Sequence, residues 1–91
     1  YMQKPSIGRV VIVTLSDEQI ERIPNKNNGA RECPATIVRV FEDTGKINVQ
    51  ALTDGPGTIW LTSLEQGDGP GQWRWPVITP PHITTSSDPK Y

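Results

Sequence analysis

The chain has 91 residues, of which 34% are hydrophobic and 21% charged, and its formal net charge is −1 at pH 7. This length suits one small domain, and no apolar run approaches the roughly 20 residues of a membrane-spanning helix. The scattered, balanced charges argue against generic binding to nucleic acid phosphates, and a single cysteine excludes both an internal disulfide and, without a Cys/His cluster, a structural zinc site.

The first predicted elements are a strand and a short helix. Residues 7–15 are rich in branched apolar side chains, which suit a β-strand covered on both faces. Ser16 and Gln19 have the spacing of a capping box, in which each side chain accepts from the backbone N–H of the other residue. The helix is expected over residues 17–23, because Pro24 cannot continue it.

Short strands joined by glycine-containing turns make up most of the remaining chain. In the first of them, Ile37, Arg39 and Phe41 alternate with their neighbours and are expected to share one face. In the last, Leu61 is expected inside and Trp60 on the opposite face. These three strands are predicted over residues 35–41, 46–52 and 58–64.

The predicted architecture is an all-β, five-stranded SH3-like barrel over residues 7–76. A glycine-rich loop at residues 67–71 leads to a fifth strand, and short strands with short connections close best as a barrel. The short helix lies in the first long connection, and an OB-like barrel is the alternative. Residues 77–91 are proline-rich and lack periodicity, so we predict an extended C-terminal tail there.

Groups suited to catalysis are sparse. His82 lies in the tail directly after two prolines, whereas a catalytic histidine needs a partner and a rigid position. Cys33 precedes a proline at the entrance to a strand and is expected to be a packing residue. Loop 67–71 is interrupted by Pro70 and is followed by no helix, so it is not a dinucleotide-binding fingerprint. We therefore expect no enzymatic activity, no cofactor and no metal.

The three tryptophans are the most informative residues. Trp73 and Trp75 are two residues apart, which places both rings on one face of a strand. One interpretation is that at least two tryptophans fill the core, since each buries about 150–250 Å². A second is a stacking platform for a planar ligand or a partner's proline, with Arg74 and backbone N–H groups beside it, and a third is a contact between subunits. The predicted ligand-binding residues are Trp60, Trp73, Arg74, Trp75, Gly69, Gly71 and Arg39.

Two tryptophan-containing segments carry a specific pattern. One is Thr58-Ile59-Trp60-Leu61-Thr62-Ser63, and the other is Gly69-Pro70-Gly71-Gln72-Trp73-Arg74-Trp75-Pro76. They resemble a family of small proteins encoded by tailed bacteriophages and prophages, over roughly residues 7–76. That family has no assigned catalytic residues, so none are carried over. The resemblance implies a phage origin and a location in the cytoplasm of the infected bacterium, or in the virion.

Together these features predict a non-enzymatic phage-encoded binding module that forms homo-oligomers. Its partner is expected to be a host or phage protein or a small nucleotide-like ligand, and neither a membrane nor generic nucleic acid. The most specific version is a sponge for a nucleotide immune signal that inhibits antiviral defence, with bases on tryptophan and phosphate on Arg74, Arg39 or Arg9. The alternative is a virion accessory protein that decorates or joins particle subunits.

Overall fold

Five antiparallel strands dominate the fold, which we obtained as a computed structural model and which is described over residues 3–77. They form a single curled sheet, which confirms the predicted all-β barrel class. Residues 78–91 of the predicted tail, with His82, lie outside the described residues. The elements are β1 (Val10–Thr14), helix α1 (Asp17–Glu21), a 3-10 turn (Lys26–Gly29), β2 (Glu32–Val40), β3 (Ile47–Leu52), β4 (Thr58–Leu64) and β5 (Gln72–Arg74). The strand order in the sheet is β4-β3-β2-β1-β5.

The chain that follows β4 closes one side of the barrel against β5. Trp73 N–H donates to the Glu65 carbonyl over 3.0 Å, and Gly67 N–H donates to the Trp73 carbonyl over 2.8 Å. Gln66 and Trp73 form an isolated parallel bridge. The sheet therefore closes through residues 65–67 rather than through β4 itself.

The predicted capping box is confirmed, but the helix is shorter than expected. Gln19 N–H donates to Ser16 Oγ over 3.1 Å, and Ser16 N–H donates to Gln19 Oε1 over 2.9 Å. The helix ends at Glu21, because Ile23 N–H bonds to the Ile20 carbonyl and so tightens the last turn ahead of the proline. This turn buries Ile23 completely in the core.

The core fills the inner face of the curled sheet. Alternate residues of β1 and β3 are buried, as strand geometry requires, and Leu61 is buried in β4 as predicted. Half-buried side chains such as Ile20 and Val40 pack against this core. The buried hydrophobic residues are Val11, Val13, Leu15, Ile23, Cys33, Ala35, Ile37, Ile47, Val49, Ala51, Leu61, Leu64 and Trp73.

The prediction that Ile37 and Arg39 share one face is wrong, because β2 contains a bulge between them. Ile37 is buried but Arg39 is exposed, because the register shifts between them and leaves Val38 as an extra residue. An extra residue moves the side chains that follow it to the other face. The exposed guanidinium carbon lies 4.9 Å from the ring centroid of Phe41.

A second bulge lies directly across β3 from the first. The pairing of β3 with β4 shifts between Ile47 and Val49, which gives β4 one extra residue. Ser63 there has a φ of +57°, and its N–H donates to Asn48 Oδ1 over 2.8 Å. Bulges bend strands and increase twist, so the pair flanking Asn48 curls the sheet at one level.

Asn48→Ala is expected to lower the free energy of unfolding by about 1 kcal/mol, because Ser63 N–H loses its acceptor at the bulge. Urea denaturation followed by circular dichroism measures this loss. Gln50→Ala is the matched control, since Gln50 lies on the same strand and its side chain accepts a hydrogen bond from the exposed Thr58 hydroxyl rather than from a backbone N–H. Equal losses in the two variants would show that the Asn48 contact has no special role.

Asparagines hold together two connections at the helix end of the barrel. Asn27 is the one buried polar side chain among the described residues. Its Oδ1 accepts from Asp54 N–H over 2.6 Å, and its Nδ2 donates to the carbonyls of Ala30 at 3.0 Å and Glu32 at 3.4 Å. Asn25 Nδ2 donates to the Asp54 carbonyl over 2.8 Å. The 3-10 turn is therefore tied to the turn between β3 and β4.

Candidate binding surface

Trp73 and Trp75 pack into the barrel rather than forming an exposed platform. Trp73 is only 1% exposed, and the half-buried Trp75 packs against the same core. Their ring centroids are 5.3 Å apart at an interplanar angle of 90°, an edge-to-face arrangement that aromatic rings favour. The interpretation that two of the three tryptophans supply core volume is therefore confirmed.

Arg9 covers part of Trp75 at the end of the barrel opposite the helix. Its guanidinium carbon lies 4.8 Å from the Trp75 ring centroid, a cation–π contact. The indole N–H groups of Trp73 and Trp75 are buried and have no hydrogen-bond partner among residues 3–77. Ligand stacking on Trp75 would therefore compete with Arg9, and stacking on Trp73 would require the core to open.

The glycines of loop 67–71 donate their N–H groups within the protein. A loop can bind an anion through its backbone only when several N–H groups point to open space. Here three of these donors already have acceptors, so the loop is held closed against its own chain. The bonds run from Gly67 to the Trp73 carbonyl (2.8 Å), from Gly69 to Gln72 Oε1 (2.9 Å) and from Gly71 to the Thr14 carbonyl (2.6 Å).

Of the three arginines predicted to meet phosphate, Arg9 lies over Trp75, and Arg74 and Arg39 lie apart from each other. Arg74 is on β5, where its guanidinium donates to Glu32 Oε2 over 2.7 Å and to Thr14 Oγ1 over 2.9 Å. Arg39 is on β2, beyond the bulge, and β1 separates their strands. The structure does not bring these cations together around a common anion position.

Trp60 lies on the outer face of the sheet and is 55% exposed. It pairs with Gln50, which pairs with Thr36, which in turn pairs with Val10, so the four side chains form one row across β4, β3, β2 and β1. In the adjoining row Leu52 pairs with Thr58, and Pro34 pairs with Ile12. We call these two rows the outer sheet face. Its eight side chains are uncharged, and the second row continues beyond Ile12 to the charged Arg74 on β5. The outer sheet face consists of Val10, Ile12, Pro34, Thr36, Gln50, Leu52, Thr58 and Trp60.

Sequence reasoning identified Trp60 in this surface and missed its neighbours. The available signal was the alternation of each strand, which separates inward from outward residues. Alternation does not say which outward residues of different strands stand side by side, because cross-strand register sets that.

The exposed position of Trp60 has a spectroscopic consequence. We expect Trp60→Phe to shift the tryptophan emission to shorter wavelength and to reduce quenching by acrylamide, because the remaining indoles are buried or half-buried. Trp75→Phe, the matched control, is expected to leave the strongly quenched component in place. Equal changes in both variants would contradict the assignment of Trp60 as the solvent-accessible ring.

Arg22 contacts Trp60 at the free edge of β4. Its Nη2 donates to the Trp60 carbonyl over 2.9 Å, bringing the end of α1 to the border of the outer sheet face. Arg31 and Arg74 each pair with a carboxylate, whereas Arg22 has no such ion pair among the described residues. An unpaired cation thus stands beside an exposed tryptophan.

Burial raises the pKa of the Cys33 thiol above its ordinary value of 9.0. The folded protein therefore holds this proton more tightly than the unfolded chain does. The resulting stability is fully present below pH 9.0 and is lost as the pH rises through the folded-state value.

We expect Cys33→Ala to lose less stability than the wild type between about pH 7 and about pH 10, since the variant lacks this titration. Urea denaturation of both proteins at the two pH values measures the difference, and the shared titration of lysine and tyrosine cancels in it. Identical pH dependence would mean that the thiol does not contribute.

Other features typical of ligand sites are few in residues 3–77. One cavity of about 250 Å³ is lined by Lys4, Pro5, Val40, Glu42 and Gly45, away from the outer sheet face. That part of the chain contains no cluster of three or more His, Cys, Asp or Glu suited to a metal ion. None of its helices is long and apolar enough to cross a membrane.

Comparisons with known proteins assign no family. No protein-family model, no curated protein and no solved structure matches the chain. The phage origin implied by the tryptophan segments stays a prediction.

Proposed function

We propose that this protein is a non-enzymatic binding module that contacts a polypeptide partner through the outer sheet face. The observation that carries the proposal is the exposed Trp60 at the β4 end of a row of four uncharged side chains. Tryptophan is enriched among the residues that dominate binding energy, and the centres of interfaces are depleted in charge. Val10 lies beyond Gln50 and Thr36 in the same row, Leu52 lies in the adjoining row, and each is 46% exposed, so both add apolar area to the face.

A polypeptide suits this face better than a nucleotide does. A nucleotide needs several converging cations or free N–H groups for its phosphates, and the one cation that the described residues place in contact with Trp60 is Arg22. Arg74 is bonded to Glu32, and the N–H groups of the glycine loop are bonded within the chain. The side chains of Gln50 and Thr36 can instead hydrogen bond to a partner's backbone and fix its orientation.

The resemblance of the tryptophan segments supports placing this activity in a phage-infected bacterium, with a host or phage protein as the partner. Homo-oligomers stay a prediction from the sequence, and a second copy that covered the outer sheet face would compete with this partner. A partner that proves to be a particle subunit would make the chain a virion accessory protein.

Site-specific photo-crosslinking in infected cells tests the proposal. A benzoylphenylalanine replaces Trp60 in one variant and Asp43, an exposed residue of the turn between β2 and β3, in the control. We expect a discrete crosslinked protein from position 60 and none from position 43. The same products from both positions would overturn the proposed surface.

Calorimetry with the purified crosslinked partner then measures the contribution of Trp60. Trp60→Ala is expected to weaken binding at least about tenfold, because tryptophan is enriched among the residues that dominate binding energy. Asp43→Ala should leave the affinity unchanged. Unchanged affinity in Trp60→Ala would overturn the proposal.

A panel of cyclic dinucleotides and trinucleotides, titrated in the same calorimeter, tests the sponge version. We expect no heat of binding at submillimolar concentrations. If one nucleotide bound tightly and Trp60→Ala weakened that binding, the ligand of this surface would be a nucleotide and the proposal of a polypeptide partner would be wrong.

A further inference from the structure

We propose that the free edge of β4 is the docking strand of this surface and accepts an extended, acidic segment of the partner. In the bound state Arg22 donates to a carboxylate of that segment instead of to the Trp60 carbonyl. The Trp60 carbonyl then accepts a hydrogen bond from a backbone N–H of the segment. This inference rests on the proposed function, because it specifies the partner class for the same site.

The first support is the position of β4 at the end of the sheet. Its one strand partner is β3, and the chain reaches β5 only after Leu64, through residues 65–67. No strand among the described residues pairs with its other edge. An unpaired edge offers N–H and C=O groups to an extended segment, which is the basis of β-strand addition.

The second support is the direction of the Trp60 backbone. Its carbonyl faces Arg22 rather than β3. In an antiparallel ladder the N–H and C=O of one residue point to the same side, so Trp60 N–H faces the same free edge. By alternation Thr58 presents its backbone there as well. An incoming strand therefore meets a regular pair of hydrogen-bonding positions beside the exposed indole ring.

The third support is the charge at this edge. Arg22 lies there without an ion pair in the described part of the chain, and its one hydrogen bond goes to a neutral carbonyl. A guanidinium bonds more strongly to a carboxylate, often through two parallel bonds. An acidic segment would therefore draw Arg22 from the Trp60 carbonyl and free that carbonyl for a backbone N–H.

The same charge disfavours a second copy of this chain as the occupant. Pairing two β4 edges about a two-fold axis would bring two Arg22 side chains close together, and like charges at an interface oppose association. Arg22 thus protects the edge from self-pairing while leaving it open to an anionic strand.

A peptide probe tests the inference directly. The probe is a fluorescein-labelled decapeptide of alternating threonine and valine with one central glutamate, and the matched peptide has glutamine at that position. Fluorescence anisotropy measures the binding of each to the wild type, Arg22→Ala, Arg22→Lys and Trp60→Ala. A third peptide, N-methylated on alternate backbone nitrogens, cannot donate to a strand edge.

We expect the wild type to bind the glutamate peptide about fivefold more tightly than the glutamine peptide, and not to bind the N-methylated one. Arg22→Ala should remove the difference between glutamate and glutamine, and Arg22→Lys should keep part of it. Trp60→Ala should weaken both peptides to a similar extent. Arg22 is exposed, so its variants should remain folded, which circular dichroism checks.

Equal binding of the glutamate and glutamine peptides, or no binding of either, would overturn the inference. So would sedimentation that shows a wild-type dimer dissociated by Thr58→Pro, because a second copy would then occupy the edge. If any of these results were obtained while position 60 still crosslinked a discrete partner, the inference would fail but the proposed function would not. If position 60 crosslinked no partner, the proposed function would fail whatever the peptides did.

Discussion

Replacing Trp73 by alanine is expected to lower the free energy of unfolding by about 3–5 kcal/mol. The ring is 1% exposed, and its removal leaves a cavity where Trp75 packs edge to face. The backbone of Trp73 also bonds to residues 65–67 and so closes the barrel. Movement of the chain into the cavity would disturb these hydrogen bonds. A loss of this size is a large fraction of the total stability of a small domain. Urea denaturation followed by circular dichroism measures it.

Trp60→Ala is the matched control, because it removes the same side chain from the outer face. We expect its loss to stay within about 1 kcal/mol, as for most surface substitutions. Similar losses in the two variants would contradict the division of the tryptophans between core and surface. Trp73→Phe, which keeps an aromatic ring in the core, should fall between them.

Asn27→Ala is expected to lower the free energy of unfolding by about 2–4 kcal/mol through two separate effects. The first is the loss of the side chain that accepts from Asp54 N–H and donates to the carbonyl of Ala30. The second is backbone strain, because Asn27 has a φ of +53°, which asparagine adopts more readily than alanine. Thermal and urea denaturation measure the combined loss.

Two further variants separate these effects. Asn27→Gly removes the same hydrogen bonds but adopts positive φ without strain, so it should retain more stability than Asn27→Ala. Asn28→Ala also places alanine at positive φ, but there it removes an exposed 3.3 Å contact with the Asp54 carboxylate. Wild-type stability in Asn27→Gly would show that the buried hydrogen bonds contribute nothing.

Local patterns predicted most of the secondary structure. The predicted strand over residues 58–64 coincides with β4, and the Ser16–Gln19 spacing correctly predicted the capping box. Both depend on interactions between residues close in the chain, or on alternation with a period of two. The broad class of the fold followed from the short strands and turns.

Features set by distant contacts were beyond the sequence patterns. The bulge at Val38 depends on pairing with β3, so strict alternation placed Arg39 on the wrong face. The spacing of Trp73 and Trp75 predicted that both rings lie on one face, but not that this face is the core. The contact between Trp73 and Glu65 that closes the barrel joins two separate segments, so the periodicity of one strand does not indicate it. The approach of Arg22 to Trp60 joins residues 38 positions apart and left no local signal.

The most direct test is the calorimetric titration of the crosslinked partner onto the wild type and onto folded Trp60→Ala. We predict at least about a tenfold loss of affinity in the variant, with a change of no more than about 1 kcal/mol in its free energy of unfolding. Unchanged affinity in a fully folded Trp60→Ala would contradict the central claim that the outer sheet face around Trp60 is the binding surface.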